Sequence, residues 1–235
     1  MELGRLVFEH PEFIVVDKPP GVSVHKDLDQ SGYLMAWSAA RNEPLWLVHR
    51  LDKMTSGLLL LGRTQSAAAQ LSQLFALREV EKLYLAISAS KPRRKQGMIR
   101  GDMQSARRGS WKLLRSEQNP AATEYVSRGV GQGRRLFLCH PLTGKTHQIR
   151  VALKSEGAPI LGDSRYATGS AANADRGYLH AWQLGFEFLG ECFRFRADPS
   201  SGEWFDRARQ QGELEALLGE NLPAHWQLRY LPVEP

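Results

Sequence analysis

Short apolar runs broken by prolines, glycines and charges recur along the first half of the chain. Leu6–Phe8 and Phe13–Val16 flank His10-Pro11-Glu12, a turn signal, and predict two strands. Pro19-Pro20-Gly21 forces another bend, and Val22-Ser23-Val24 alternates as a short strand would. Leu45–Val48 and Leu58–Leu61 predict two further strands, with the polar stretch His49–Gly57 between them. A charged loop between buried strands is a common place for a site. Thr64 can cap a helix to about Leu77, because Ala67, Leu71, Leu74 and Phe75 then share one face. Lys82–Ile87 reads as a strand.

Periodicity fades from Lys91 to Lys112, a segment expected to be a loop or hairpin. Ala122–Ser127 and Arg134–Cys139 predict two strands joined through Gly129-Val130-Gly131-Gln132-Gly133. Thr143-Gly144-Lys145-Thr146 precedes a helix expected over His147–Glu156 and ended by Gly157. Leu184–Phe188 and Cys192–Phe195 predict a hairpin around Leu189-Gly190-Glu191. One acidic helix is expected from about Glu203 to Leu218. No repeat or linker interrupts the pattern. It reads as one α+β domain over residues 1–202, with an acidic C-terminal appendage over residues 203–235 packed on it.

Composition narrows the class. Of 235 residues, 42% are hydrophobic and 24% charged, which excludes intrinsic disorder and coiled coil as overall descriptions. No window approaches the roughly eighteen apolar residues of a membrane span. The opening residues lack a basic region followed by an apolar core, so no secretory signal is read there. Cys139 and Cys192 stand far apart and form no CxxC pair, which excludes a disulfide framework or a structural zinc site. The expectation is a cytoplasmic protein and a monomer, although the sequence is silent on oligomeric state.

Charge points to a partner. The net charge is +6. Lys91, Arg93, Arg94, Lys95, Arg100, Arg107, Arg108 and Lys112 stand against the single acid Asp102, whereas the stretch from Glu203 to Glu220 is rich in acids. That asymmetry suits a face that binds a polyanion, although a solvated loop accounts for a charge run equally well.

Most familiar chemistry is excluded by spacing. Gly144-Lys145-Thr146 resembles the end of a phosphate loop, but Cys139 stands where the first glycine is needed. Gly129, Gly131 and Gly133 have the wrong spacing for a dinucleotide site and join two strands. The histidines (His10, His25, His49, His140, His147, His180 and His225) show no metal-ligand spacing, and no GxSxG elbow is present. What remains is Asp52, set among Arg50, Lys53, Thr55 and Ser56. Cations and hydroxyls favour an ionised carboxylate, which can act as nucleophile or base. From the residues alone, an Asx-turn closing a loop at Gly57 is the simpler account.

A resemblance changes that weighing. His49-Arg50-Leu51-Asp52-Lys53-Met54-Thr55-Ser56-Gly57-Leu58 resembles the HRLDxxTSGL signature of the RluA-like family of RNA pseudouridine synthases. Asp17-Lys18-Pro19-Pro20-Gly21 resembles the family's DKPxG segment, and Lys82-Leu83-Tyr84-Leu85-Ala86 its KxYLA segment. Thr143 through Arg150, Pro159 through Asp163 and Leu179-His180-Ala181 resemble its TGRTHQIR, PIxGD and LHA blocks, in family order. Lys145 stands where arginine is commoner, and Ala158 where histidine often precedes Pro159. The early DKPxG block resembles the short members without an S4 domain, which act on ribosomal or transfer RNA.

The resemblance implies a mixed, mainly antiparallel central sheet with flanking helices and a central RNA-binding cleft. It implies conversion of uridine in RNA to pseudouridine without cofactor or metal. Asp52 would be the catalytic carboxylate, attacking or deprotonating the sugar. Tyr84 would stack on the uracil, and Arg150 would pair with Asp52. Arg50 would fill the space of a flipped nucleotide or touch its backbone; a salt bridge to Asp17 or Asp52 is its alternative. His49 would shape the loop. Lys82, Lys145 and His147 are expected on the RNA side, with Arg93, Arg94, Arg107 and Arg108 gripping phosphates. Two rivals remain: an RNA-binding protein of the same fold that has lost activity, and a nucleoside- or glycoside-cleaving enzyme using a carboxylate pair.

Overall fold

The computed structural model describes residues 2–24, 32–219, 222–223 and 226. His25, His225 and most of the chain beyond Gly219 therefore lie outside the described residues. The elements of the first half are β1 (Arg5–Glu9), β2 (Phe13–Lys18), α1 (Tyr33–Arg41), β3 (Trp46–Leu47), β4 (Ser56–Gly62), α2 (Gln65–Leu77) and β5 (Glu81–Ser88). Then follow β6 (Gln96–Gly101), β7 (Met103–Ser105), β8 (Trp111–Leu113), β9 (Ala121–Gly129), β10 (Arg135–Pro141) and α3 (Gln148–Ser155). The last are β11 (Leu179–Phe188), β12 (Glu191–Arg196), α4 (Glu203–Gln210) and α5 (Glu213–Gly219). No helix among the described residues is long and apolar enough to cross a membrane.

The chain divides into two compact units, one of Met1–Tyr84 with Arg176–Ser200, the other of Leu85–Asp175 with the residues from Ser201 onward. β5 runs from the first unit into the second.

In the first unit β2 lies between β1 and β4, antiparallel to both. The opposite edge of β4 takes β11 in parallel at Ser56 and Gly57, and β3 in antiparallel at Leu61 and Gly62. β12 continues antiparallel from β11. The sheet is thus mixed and mainly antiparallel, with helices packed on it, an α+β arrangement. Alternation explains why β2 and β4 read as unbroken apolar runs. Phe13, Val15, Leu58 and Leu60 enter one core cluster, under α2, while Ile14, Val16, Leu59 and Leu61 enter another with Tyr33 and Trp37 of α1. Both faces are covered, so every position is buried. Thr64 caps α2 as its position predicts, accepting the Ala67 N–H at 3.0 Å.

In the second unit β9 lies between β6 and β10, antiparallel to both. β7 and β8 form a separate two-stranded ribbon closed by a 3-10 turn at Arg107–Gly109, so the basic segment is a hairpin in its second half, whereas its first half, expected as loop or hairpin, holds β6 of the larger sheet. α3 runs as expected and ends before Gly157, at φ +79°.

Two expectations need correction. Val22–Val24 forms no strand, because the Lys18 ammonium takes the carbonyls of Pro19 and Val22, both at 2.8 Å, and folds the segment back. The acidic helix is two helices, broken where Gly212 adopts φ +65°. These helices pack in the second unit, with Glu213 paired to Arg128 and the Arg134 guanidinium 3.8 Å over the Trp204 ring.

Candidate active site

Asp52 sits at the mouth of β4 on a turn closed by the Thr55 N–H donating to its carbonyl at 2.9 Å. The next residue ties that turn to the Asp17–Gly21 segment, since the Gly21 N–H donates to the Lys53 carbonyl at 2.8 Å. Two of the sequence blocks are thereby one structure. A third joins through Gly57, at φ +105°. It faces Lys18 on one edge of β4 and Ala181 on the other. A Cβ there would overlap the Ala181 carbonyl oxygen, so only glycine fits.

Beneath the turn lies a buried polar chain. The His180 Nε2 donates to the Ala197 carbonyl at 2.7 Å, which leaves Nδ1 to accept the Ser56 hydroxyl, also at 2.7 Å. Arg176 in turn donates to the Ser56 oxygen. Buried Asp17 and Lys18 share this neighbourhood. Burial raises the Asp17 pKa, against the pull of Arg5, Arg176 and Lys18. Burial, helped by Arg176, pulls Lys18 down to about 7, while Asp52 and Asp17 oppose the fall. The Asp52 charge therefore acts on a buried amine that gains and loses its proton near neutrality.

Tyr84, on β5, packs against the cluster that holds Leu51 and Ala181. Burial raises its pKa, and the Asp52 carboxylate raises it further, so the phenol keeps its proton and stays a donor. His49 is built into the loop. Its Nε2 accepts the Leu60 N–H at 3.0 Å, between the places where β11 and β3 pair with β4. Its ring stacks on Phe75 with centroids 4.4 Å apart. Burial, with Lys82 adding to it, pulls its pKa down to about 3, which keeps it neutral. Lys82 lies 5.5 Å over the same Phe75 ring, its pKa lowered by burial and by Arg78. Arg50 is exposed and makes no ion pair among the described residues, so its salt-bridge alternative to Asp17 or Asp52 is not what the fold uses.

Arg150, Lys145 and His147 belong to the second unit. The Arg150 guanidinium is buried and donates to both Asp163 oxygens, at 2.7 and 2.9 Å, a bidentate pair that fixes its plane. Asp163 also accepts the N–H groups of Arg165 and Tyr166. The Tyr166 ring lies 5.0 Å under the guanidinium, and its hydroxyl meets His147 Nδ1 at 2.9 Å. His147 holds φ +57°, a conformation uncommon outside glycine, at the start of α3. Gln148 locks the turn before it. Its amide oxygen accepts Thr143 and Lys145, and its nitrogen donates to Ala122 and Thr123. Lys145 donates to the Asn119 side chain at 2.9 Å. Arg93, Arg94, Arg107 and Arg108 are exposed.

Sequence reasoning assigned no role of their own to Lys18, Arg176, His180 and Tyr166, and placed Ser56 only among the groups around Asp52. Lys18, Ser56 and His180 lie inside the motifs, but their association was hidden, since Ser56 and His180 lie 124 positions apart and meet through strand pairing. Among the described residues no group of three His, Cys, Asp or Glu side chains is placed to hold a metal ion.

A family model described as RNA pseudouridylate synthase matches residues 12–155. The chain is 46% identical over 215 residues to a Haemophilus influenzae protein named an uncharacterized RNA pseudouridine synthase, covering 91% of this chain and 96% of that one. It is 28% identical over 223 residues to the ribosomal large subunit pseudouridine synthase C of Vibrio parahaemolyticus, covering 91% and 68%. Among solved structures, the human RNA pseudouridylate synthase domain containing 4 superposes with a TM-score of 0.69 at 25% identity, covering 88% of this chain and 92% of that one.

Proposed function

The chain belongs to the RNA pseudouridylate synthase family, whose enzymes isomerise uridine in RNA, and on that premise we propose that Asp52 is the carboxylate that carries the reaction. The single observation behind this choice is the convergence of three sequence blocks, through Lys53–Gly21 and Gly57–Ala181, on the turn that presents Asp52. The N1–C1′ bond of the target uridine breaks, C5 of the same uracil bonds to C1′, C5 gives up its hydrogen and N1 gains one. Positive charge develops at C1′ during detachment, and an ionised carboxylate stabilises it, whether by attack on the sugar or by taking a proton from it. Tyr84 is proposed to stack on the detached uracil, with its protonated hydroxyl as a donor to the ring.

Arg150 is proposed to serve Asp52 in the same reaction, its rigid pairing with Asp163 supporting a positioning role. Arg50 is proposed to act on the flipped nucleotide, for which its exposure suits it. His49 is proposed to shape the loop, and Lys82, Lys145, His147 and the exposed arginines to face RNA. The relatives named for the large ribosomal subunit favour ribosomal RNA as the substrate class. The proposed enzyme is a cytoplasmic monomer and uses only its own groups and those of the RNA.

Tritium release from RNA labelled at uracil C5 tests the reading. Release from ribosomal transcripts that exceeds release from transfer RNA transcripts, and that vanishes in Asp52→Ala, is the expected result. Equal release from Asp52→Ala would remove the carboxylate assignment. Tyr84→Phe should keep binding while slowing release. A rate equal to the unaltered enzyme would show that the hydroxyl is dispensable.

A further inference from the structure

The β7–β8 ribbon is held at defined points to the turn that carries Asp163. The Trp111 N–H donates to the Tyr166 hydroxyl at 2.8 Å, and the Arg165 guanidinium donates to the Arg108 carbonyl. At the base of the ribbon, the Asp102 carboxylate accepts the N–H groups of Gln118 and Asn119 at 3.0 and 2.8 Å. Lys145 reaches the same loop through its bond to Asn119. Ribbon, loop and Thr143–Thr146 turn line a half-open cavity of about 470 Å³. Of its lining residues only Lys145 is among those proposed above to face RNA.

The lining is sorted by chemistry. Trp111 supplies an indole and Met103 a thioether, surfaces that suit a flat aromatic ring. Gln118 and Asn119 supply amides that can meet a base edge. Lys145 and Thr146 supply an ammonium and a hydroxyl, suited to a phosphate. Among the described residues the Gln118 side chain and the Thr146 hydroxyl make no hydrogen bond, so both are available. The volume falls within the few hundred to roughly a thousand Å³ of small-ligand sites. Asp102 disfavours a bare anion here but can accept from the amino group of a base. Exposed Arg107, Arg108 and Lys112 on the same ribbon extend the positive charge.

We infer that this cavity is a second nucleotide subsite, which holds an unstacked nucleotide of the RNA outside the target uridine, its base against Trp111 and its phosphate at Lys145. The inference rests on the RNA-modifying function proposed above. It assigns Trp111 the part of a stacking platform, which tolerates any base.

The direct test uses the full-length protein labelled with nitrogen-15 and titrated with the four nucleoside 5′-monophosphates or with inorganic phosphate. The Trp111 indole resonance is assigned by its loss in Trp111→Phe. All four nucleotides should shift the Trp111 indole and the Lys145 and Thr146 amides, whereas phosphate should leave the indole unmoved. Trp111→Ala should weaken binding of a ribosomal transcript by roughly tenfold, within the range of one base–aromatic stack, and raise KM more than it lowers kcat. Trp111→Phe should retain most of the affinity. Gln118→Ala, which keeps the platform, should weaken nucleotide binding several-fold. An indole that stays still under every nucleotide would overturn the subsite, as would phosphate reproducing all the shifts. RNA affinity unchanged in a folded Trp111→Ala would overturn it too. Asp52-dependent tritium release fails or succeeds separately, so loss of the isomerase reading is distinguishable from loss of the subsite.

Discussion

The turn that bears Asp52 and the ribbon that bears Trp111 are built in opposite ways. Around Asp52 the backbone is pinned through Thr55, Gly21 and the Gly57–Ala181 approach, over a buried chain of Arg176, Ser56 and His180. The ribbon is tied through Asp102, Arg165 and Tyr166, and it leaves Arg107, Arg108 and Lys112 exposed. The proposed role of Asp52 in bond making at a sugar carbon calls for sub-ångström placement, which a backbone held at these points suits. The grip on phosphate proposed for the arginines depends on charge and reach, which exposure supplies without burial.

That contrast can be attacked at its stiffest point first. Gly57→Ala forces a Cβ against the Ala181 carbonyl at φ +105°, and should cost about 3 kcal/mol or more, seen as a lowered urea midpoint. A cost under about 1 kcal/mol would mean that the β4–β11 approach is looser than its geometry.

Lys18 gives a smaller effect with a definite sign. Its folded pKa of about 7 lies below the ordinary lysine value of 10.5, so the unfolded chain binds the extra proton between those pH values. Stability should therefore rise from pH 7 towards pH 10 by something on the order of 2–3 kcal/mol on account of this group. Lys18→Met should flatten the rise in urea midpoints measured at pH 6.5 and 9.5, and an equal rise in both proteins would show that Lys18 is not held in this way.

Neutralising Arg93, Arg94, Arg107 and Arg108 together should change stability least, within about 0.5 kcal/mol, because all four are exposed. It should instead weaken RNA binding and flatten the log–log salt slope by up to about three, at roughly 0.7–0.9 for each phosphate no longer neutralised. An unchanged slope would show that the ribbon and its flank do not meet RNA.

The same division governs how much could be read in advance. β2, β4 and α2 were legible because burial on both sheet faces leaves an unbroken apolar run, and because Thr64 is a local signal. The ribbon was legible only as one of two alternatives, since its strand-forming residues are few and its tie from Trp111 to Tyr166 spans 55 positions. Val22–Val24 misled for a related reason: alternation predicts a strand, but the Lys18 ammonium claims the carbonyls that bound it. In the C-terminal segment one helix was expected across Gly212, where the backbone turns at φ +65°. Asp52 and Tyr84 were marked out as candidates by their motif. The polar chain behind them was not, because Ser56, Arg176 and His180 are brought together only by the parallel pairing of β4 with β11.

The most direct measurement of the central claim is the single-turnover rate of pseudouridine formation in a ribosomal transcript by Asp52→Asn, alongside its affinity for the same RNA. The substitution keeps the shape of the side chain and removes the charge. A fall in rate of about a thousandfold or more, with affinity within about threefold of the unaltered enzyme, is the predicted result. A rate within about tenfold of the unaltered enzyme, at equal affinity, would contradict the assignment of the reaction to this carboxylate.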